Sequence, residues 1–158
     1  MNCGLLEQKT NNFIDKKMIA IGSDHAGFEF KNRICKLLNE LGEKYIDFGT
    51  LSTESCDYPD YAKSVAESII KKQCDRGILI CGSGIGMSIS ANRHKGIRAA
   101  LCWAEEIAKV SRTHNDANVL VIGERVIPWI ETEKIVKVWL KTEFEGGRHI
   151  NRINKMDY

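Results

Sequence analysis

The sequence predicts an α/β protein in which a five-stranded parallel sheet lies between two layers of helices. Short apolar runs, which are typical of buried strands, alternate with segments whose apolar residues recur every three or four positions, as on one face of a helix. Five runs alternate in this way, and this pattern favours a parallel sheet with helices on both faces. One run, 77–81, is apolar at every position after its initial glycine, as expected for a buried parallel strand.

The elements can be assigned in order along the chain. The predicted strands are 19–22, 45–48, 77–81, 97–102 and 119–122. Helical spacing of apolar residues predicts helices in the segments 30–41, 62–70, 87–92, 107–114 and 128–139. Gly42 is a typical stop signal after the first helix, and Pro128 suits the first turn of the last one. We expect a loop over 49–59 and a basic tail beyond Glu143.

Length and composition restrict the class of protein. The 158 residues, 43% hydrophobic and 28% charged, suit one domain with a hydrophobic core. Residues 1–17 are polar and lack periodicity, which predicts a flexible N-terminal extension before a single domain, 18–158. A net charge of +2 without a long basic run does not indicate nucleic-acid binding. No stretch has the length of a membrane span or the pattern of a signal peptide, so we expect a cytoplasmic protein without a membrane partner.

The cysteines and histidines do not predict a metal centre. Six cysteines occur without a Cys-x-x-Cys pair, and the four histidines lack the close spacing that is common among metal ligands. We therefore expect reduced thiols and no metal.

Polar residues follow three of the predicted strands. These segments are Ser23-Asp24-His25, Cys81-Gly82-Ser83 and Gly123-Glu124-Arg125. In a parallel sheet, ligands bind outside the carboxyl ends of the strands. We therefore expect the three segments to meet at one edge of the sheet and to form a candidate site.

The segment Cys81-Gly82-Ser83-Gly84-Ile85-Gly86 places a thiol and a glycine-rich turn ahead of a helix. Backbone N–H groups at a helix N-terminus attract anions, so the turn from Gly82 to Gly86 is a candidate cradle for an anion or oxyanion. It is not a dinucleotide fingerprint, because Met87 stands where the last glycine belongs, and it is not a Walker loop. The alternative is a structural cysteine beside a tight turn that binds nothing.

Three further groups have both a structural and a functional interpretation. Asp24 can cap a helix beside a surface His25, or both can face the crevice. His114 suits the negative end of a helix, yet its spacing turns it inward, where a polar side chain needs a partner or a role in proton transfer. Arg148 and Arg152 share one helical face and form either a solvated basic tail or a clamp for a phosphate.

Five motifs occur in a specific order: Gly-Ser-Asp-His-Ala-Gly (22–27), Asp-Tyr-Pro (57–59), Cys-Gly-Ser-Gly-Ile-Gly (81–86), His-Asn (114–115) and Gly-Gly-Arg-His (146–149), followed by Arg152. This pattern resembles type B ribose-5-phosphate isomerase, a family that also contains galactose-6-phosphate isomerase subunits. The resemblance extends over about residues 18–152. It implies a Rossmann-like fold and the interconversion of ribose 5-phosphate and ribulose 5-phosphate without metal or organic cofactor.

The resemblance also implies a role for each motif. Cys81 is expected to be the base that moves a proton between C1 and C2, and His114 the proton donor that opens the furanose ring. Ser83 stands where family members carry Thr or Ser, and Met87 replaces the glutamate base of another branch. The expected contacts to the substrate, with the arginines on its phosphate and hydroxyls, are Asp24, His25, Tyr58, Gly82, Ser83, Gly84, Ile85, Gly86, Asn115, Arg125, Arg148 and Arg152.

The same resemblance implies a homodimer or a dimer of dimers, in which His114 reaches the site of a neighbouring subunit. Two other functions are compatible with the residues. An isomerase of a six-carbon sugar phosphate, such as galactose 6-phosphate or allose 6-phosphate, would use the same groups in a longer pocket. A non-catalytic nucleotide-binding module would explain the glycine loop but neither Cys81 nor His114.

Overall fold

The computed structural model of the protein describes residues 17–157. The strands in this range are β1 (Met18–Ser23), β2 (Lys44–Asp47), β3 (Arg76–Cys81), β4 (Ala99–Leu101) and β5 (Val119–Gly123). The α-helices are α1 (Phe28–Glu40), α2 (Tyr58–Ile70), α3 (Ile85–Asn92), α4 (Glu105–Thr113), α5 (Trp129–Lys141) and α6 (Arg148–Ile153), and a 3₁₀ turn, His25–Gly27, precedes α1. The predicted extension 1–17 lies outside the described residues, apart from Lys17.

The five strands pair in parallel in the order β2-β1-β3-β5-β4, which confirms the predicted sheet. β3 is central and fully buried, and it pairs with β1 on one side and β5 on the other. After β1 the chain turns toward one edge of the sheet, and after β3 it turns toward the other. The loops that follow these two strands therefore diverge and leave a crevice between them.

Helices cover both faces of the sheet, as predicted. Ile78 and Ile80 of β3 pack in a cluster with α1, α4 and α5, whereas Leu79 and Cys81 pack in a second cluster with α2 and α3. This alternation follows from the two-residue period of strand side chains. Cys81 consequently extends toward the layer that α2 and α3 form. None of the helices within residues 17–157 is long and apolar enough to span a membrane.

The other predicted strands agree with the structure to within one residue at either end, but β4 is shorter than the predicted 97–102. Among the strands of residues 17–157, β4 lies at the edge of the sheet and pairs with β5 alone. The N–H of Ile97 donates to the carbonyl of His94 in a turn instead of joining the sheet. An apolar run at a sheet edge thus overstates the length of the strand.

Four helices begin earlier than predicted, and α1 and α4 do so by two residues each. α2 begins at Tyr58, inside the predicted loop 49–59, because Pro59 occupies its first turn, where a missing N–H costs nothing. α3 begins at Ile85 instead of Met87, so that the glycine-rich turn leads directly into its first turn. The tail beyond Glu143 contains the short helix α6, which carries both arginines of the predicted clamp.

Candidate active site

A cavity of about 450 Å³ opens at the carboxyl ends of β1, β3 and β5. It contains the three segments that the sequence predicted to converge. The predicted site residues that line it are Asp24, His25, Tyr58, Cys81, Gly82, Ser83, Gly86 and Arg125. Ala26 and Val126 also line it. Sequence reasoning missed these two, because a small or apolar side chain carries no chemical signal.

Cys81 ends the central strand at the base of this cavity, with 5% of its surface exposed. The backbone N–H of Gly84 donates a hydrogen bond of 3.1 Å to its Sγ atom. A donor at this distance suits a sulfur that carries negative charge. The position fits a thiol that acts on a ligand in the cavity.

The turn after Cys81 requires glycine at position 84. Gly84 has φ +81°, and a Cβ atom there would lie 2.3 Å from Cδ1 of Leu101. A larger residue would therefore be strained in its backbone and would displace a neighbour. The turn brings the N-terminus of α3 to the rim of the cavity, where the helix dipole favours negative charge.

Tyr58 forms one wall of the cavity by packing directly on the glycine loop. A Cβ atom on Gly86 would lie 2.7–3.0 Å from the ring atoms of Tyr58, so the absence of a side chain at Gly86 lets the ring approach the backbone. α2 thus contributes to the cavity through its first residue.

Asp24 both caps a helix and lines the cavity, so its two interpretations are compatible. Its Oδ1 accepts hydrogen bonds from the N–H groups of Ala26 (3.0 Å) and Gly27 (3.1 Å). The ring of His25 is anchored at Nδ1, which lies 3.2 Å from the nitrogen and 3.3 Å from the oxygen of Cys56. The loop before α2 therefore holds His25 at the cavity.

Backbone hydrogen bonds join the segment after β5 to the turn that follows Cys81. The N–H groups of Glu124 and Arg125 donate to the carbonyls of Cys81 and Gly82, each at 2.9 Å. The Arg125 side chain then crosses Gly82 and brings its guanidinium to the cavity. A cation at this place suits an anionic ligand.

The Glu124 side chain binds the N-terminus of α1 beside the cavity. Its Oε2 accepts a 3.0 Å hydrogen bond from the N–H of Phe30 in the first turn of α1. Burial raises the pKa of the Glu124 carboxyl, and this hydrogen bond opposes the shift. Glu124 thus secures the junction between α1 and the loop that carries Arg125.

Gly84 and Ile85 do not line the cavity, although they build the turn and the start of α3 beside it. The other predicted residues that do not line it are His114, Asn115, Arg148 and Arg152. Asn115 lines a separate cavity of about 330 Å³ between β4 and the C-terminal segment. Arg148 and Arg152 are exposed on α6.

His114 caps the C-terminus of α4, near the amino ends of the strands, whereas Cys81 lies at the carboxyl end of β3. The chain after His114 reaches the start of β3, where the N–H of Gly77 donates to the carbonyl of Asn118 at 2.8 Å. Cys81 lies four residues further along that strand, which is about 13 Å. Within one chain, His114 and Cys81 therefore lie at different ends of the sheet.

The ring of His114 stacks on the ring of His149, with centroids 4.4 Å apart and planes 11° apart. Burial, followed by the positive charge of His114, Arg148 and Arg152, lowers the pKa of His149. Glu145 completes this group, since its carboxylate and the two imidazoles have ligand atoms within 4.8 Å of one another. Sequence reasoning assigned no role to His149 or Glu145, although His149 belongs to the Gly-Gly-Arg-His motif.

Comparison with known proteins gives a consistent result. A family described as Ribose/Galactose Isomerase matches residues 19–156. Ribose-5-phosphate isomerase B of Escherichia coli is 48% identical over 137 residues, which is 87% of this chain and 92% of that protein.

Solved structures agree in fold as well as in sequence. Ribose-5-phosphate isomerase B of Clostridium thermocellum superimposes with a TM-score of 0.88 at 51% identity, covering 89% of this chain and 95% of the other. The ribose 5-phosphate isomerase of Thermotoga maritima gives a TM-score of 0.88 at 51% identity, covering 89% and 97%. The predicted resemblance and the Rossmann-like fold are therefore confirmed. The chain belongs to the ribose/galactose isomerase family.

Proposed function

We propose that the protein interconverts ribose 5-phosphate and ribulose 5-phosphate. The observation that carries this proposal is the buried Cys81 thiol at the base of a cavity. Its sulfur accepts a hydrogen bond from the Gly84 amide, and Arg125 lines the same cavity. Relatives with about half of their residues in common are named as enzymes of this activity. In this proposal, Cys81 is the base, the glycine loop is the oxyanion cradle and Arg125 is a cation that binds the anionic sugar.

In the forward direction, the Cys81 thiolate takes the proton from C2 of the open-chain aldose, which leaves an enediolate. The same thiol returns the proton to C1, while the oxygens on C1 and C2 exchange a proton, and the ketose results. The glycine loop, with Ser83, stabilises the negative charge on the enediolate oxygen. Donors arranged in advance at such an oxygen contribute about 3–4 kcal/mol each in other enzymes.

We propose further that the active assembly is a homodimer or a dimer of dimers, in which His114 serves the cavity of a neighbouring chain. The distance between His114 and Cys81 within one chain supports this proposal. A second support is the outer face of α3, where Ile85 and Ile89 are 56% and 61% exposed beside the cavity. A neighbouring chain that covers these residues would remove an apolar patch from water.

In that assembly, His114 donates the proton that opens the furanose ring, and α6 supplies Arg148 and Arg152 to the phosphate. Asp24, His25, Tyr58 and Asn115 would bind the sugar hydroxyls. The phosphate lies far from the reacting carbons, and its binding energy holds the sugar in place. We also propose that residues 18–158 form one domain and that the enzyme works in the cytoplasm without a cofactor.

The test is conversion of ribose 5-phosphate to ribulose 5-phosphate by the purified protein, with a chelator present. We expect activity that Cys81→Ala abolishes while the circular dichroism spectrum is retained. Cys74→Ala is the matched control, because Cys74 is a buried thiol in the same hydrophobic cluster but does not line the cavity. Equal activity of wild type and Cys81→Ala would overturn the role of the thiol.

The same assay separates the alternative substrates. Turnover of galactose 6-phosphate or allose 6-phosphate but not of ribose 5-phosphate would replace the proposed substrate and keep the proposed chemistry. Tight nucleotide binding without turnover of any sugar phosphate would overturn both.

A further inference from the structure

We propose that His114, Glu145 and His149 form a binding site for a divalent transition-metal ion of the Zn²⁺ type, and that the bound ion inhibits the enzyme by occupying His114. The inhibitory part rests on the proposed function, because it requires His114 to be the ring-opening acid. The binding part does not, since it depends only on the three side chains.

The donor set suits such an ion. Two imidazole nitrogens and one carboxylate oxygen, with water in the fourth position, are common ligands of Zn²⁺. The ligand atoms of His114, Glu145 and His149 all lie within 4.8 Å of one another. Ligand atoms around a tetrahedral Zn²⁺ lie about 3.4 Å apart, given bond lengths of about 2.1 Å. The ligand atoms are therefore near enough for rotation of the side chains to bring them around one ion.

The two imidazoles already lie side by side. Their centroids are 4.4 Å apart and their planes differ by 11°. Because an imidazole nitrogen binds a metal ion within the plane of its ring, one ring has to turn out of the stack before both rings can bind the same ion. His149 is 7% exposed and His114 is half-buried, so His114 is the ring with more room to turn. The ion therefore binds at the expense of the stacking contact, which lowers the affinity of the site.

The backbone holds the three ligands together although they come from distant parts of the chain. The N–H of Glu145 donates to the carbonyl of Thr113 at 3.1 Å, which fixes Glu145 beside His114. The N–H of His149 donates to the carbonyl of Gly146 at 3.2 Å in the turn that opens α6. The carboxylate of Glu145 is exposed, so an ion from solvent can reach the site through it.

The surrounding charge sets the strength of binding. Glu145 attracts the ion, whereas Arg148 and Arg152 of the same segment repel it, as they repel the proton on His149. We therefore expect an affinity below that of a structural zinc site and an inhibition that a chelator reverses. The arrangement is that of a reversible regulatory site and not that of a resident cofactor.

The consequence for catalysis follows from the chemistry of imidazole. A ring nitrogen that donates its lone pair to a metal ion cannot carry the proton that ring opening requires. Zn²⁺ should therefore suppress turnover of the cyclic sugar phosphate without unfolding the protein.

The binding test uses Co²⁺ as a spectroscopic probe on the full chain. We expect one Co²⁺ per chain, with visible bands of nitrogen and oxygen coordination and no sulfur-to-cobalt charge-transfer band. Glu145→Gln and His149→Gln should each weaken binding about tenfold or more. His94→Gln is the control, since His94 lies outside the cluster, and it should bind Co²⁺ as wild type does. A sulfur band, or unchanged binding in both cluster variants, would overturn the site.

The inhibition test measures isomerase activity with and without Zn²⁺ and then with excess chelator. We expect inhibition that the chelator reverses, and the Zn²⁺ concentration for half inhibition should rise in Glu145→Gln and stay unchanged in His94→Gln. Inhibition of equal strength in wild type and Glu145→Gln would show that Zn²⁺ acts elsewhere, for instance at Cys81, and would overturn this mechanism. If the protein lacks isomerase activity but binds Co²⁺ as described, the proposed function fails and the metal site stands.

Discussion

The amide of Gly84 donates a 3.1 Å hydrogen bond to the sulfur of Cys81. The bond closes a turn of four residues between the central strand and α3. The conformation of this turn therefore determines the surroundings of the thiol. A change in the turn is therefore expected to alter the chemistry of the thiol as well as the stability of the fold.

Gly84→Ala should displace the amide at position 84 from the Cys81 sulfur and lower kcat about 100-fold, the effect that loss of one preorganised donor has in other enzymes. The new Cβ would meet Leu101 at 2.3 Å in a backbone of φ +81°, and the free energy of unfolding should fall by about 2–4 kcal/mol. Kinetics and urea denaturation check both values.

Gly96→Ala is the matched control, because Gly96 has φ +86° but nothing within 4 Å of its Cβ position. It should cost about 1–2 kcal/mol and leave kcat unchanged. Equal kcat in both variants would contradict the role of the amide.

Gly86→Ala should raise KM while the protein stays as stable as wild type or becomes slightly more stable. Alanine favours the helix by up to about 1 kcal/mol over glycine, but its Cβ displaces the Tyr58 ring from the cavity wall. Steady-state kinetics and thermal denaturation measure the two effects. In a double-mutant cycle with Tyr58→Ala, the effects on KM should be less than additive, since both changes remove the same contact. Full additivity would argue that Tyr58 and Gly86 act separately.

Arg152→Ala should raise KM more than it lowers kcat, because a phosphate contact holds the substrate in its ground and transition states alike. Lys155→Ala is the control, since Lys155 is an exposed cation of the same C-terminal segment. It should leave KM unchanged. Comparable increases in KM for both variants would indicate a general effect of charge instead of a specific clamp.

Stability should fall as the pH is lowered below about 6.5, in part because of His149. Burial lowers its pKa in the folded state below the ordinary value of 6.5, so the unfolded chain binds the proton more readily. The penalty is absent above the unfolded pKa, grows as the pH falls from the unfolded to the folded pKa, and stays constant at lower pH. Thermal denaturation between pH 5 and 8 should show that His149→Gln loses less stability than wild type as the pH is lowered. The stability of His94→Gln should change with pH as that of wild type does. Parallel curves for all three proteins would contradict this assignment.

Several features of this protein follow from the sequence alone. The alternation of apolar runs and helical faces determined the five-stranded sheet, because burial on both faces leaves a local pattern in each strand. Because the strands of such a sheet are parallel and β1, β3 and β5 are neighbours, their carboxyl ends lie side by side. The sequence pattern therefore suffices to place Asp24, Cys81 and Arg125 at one cavity.

Tertiary structure alone decided the position of His114. Its helical spacing correctly indicated a partly buried side chain, but its neighbours are Glu145 and His149, which lie 31 and 35 residues further along the chain. A local pattern reports which face of a helix is covered and cannot report which distant segment covers it. The packing of α6 against the end of α4 determines that contact and brings the two histidines together.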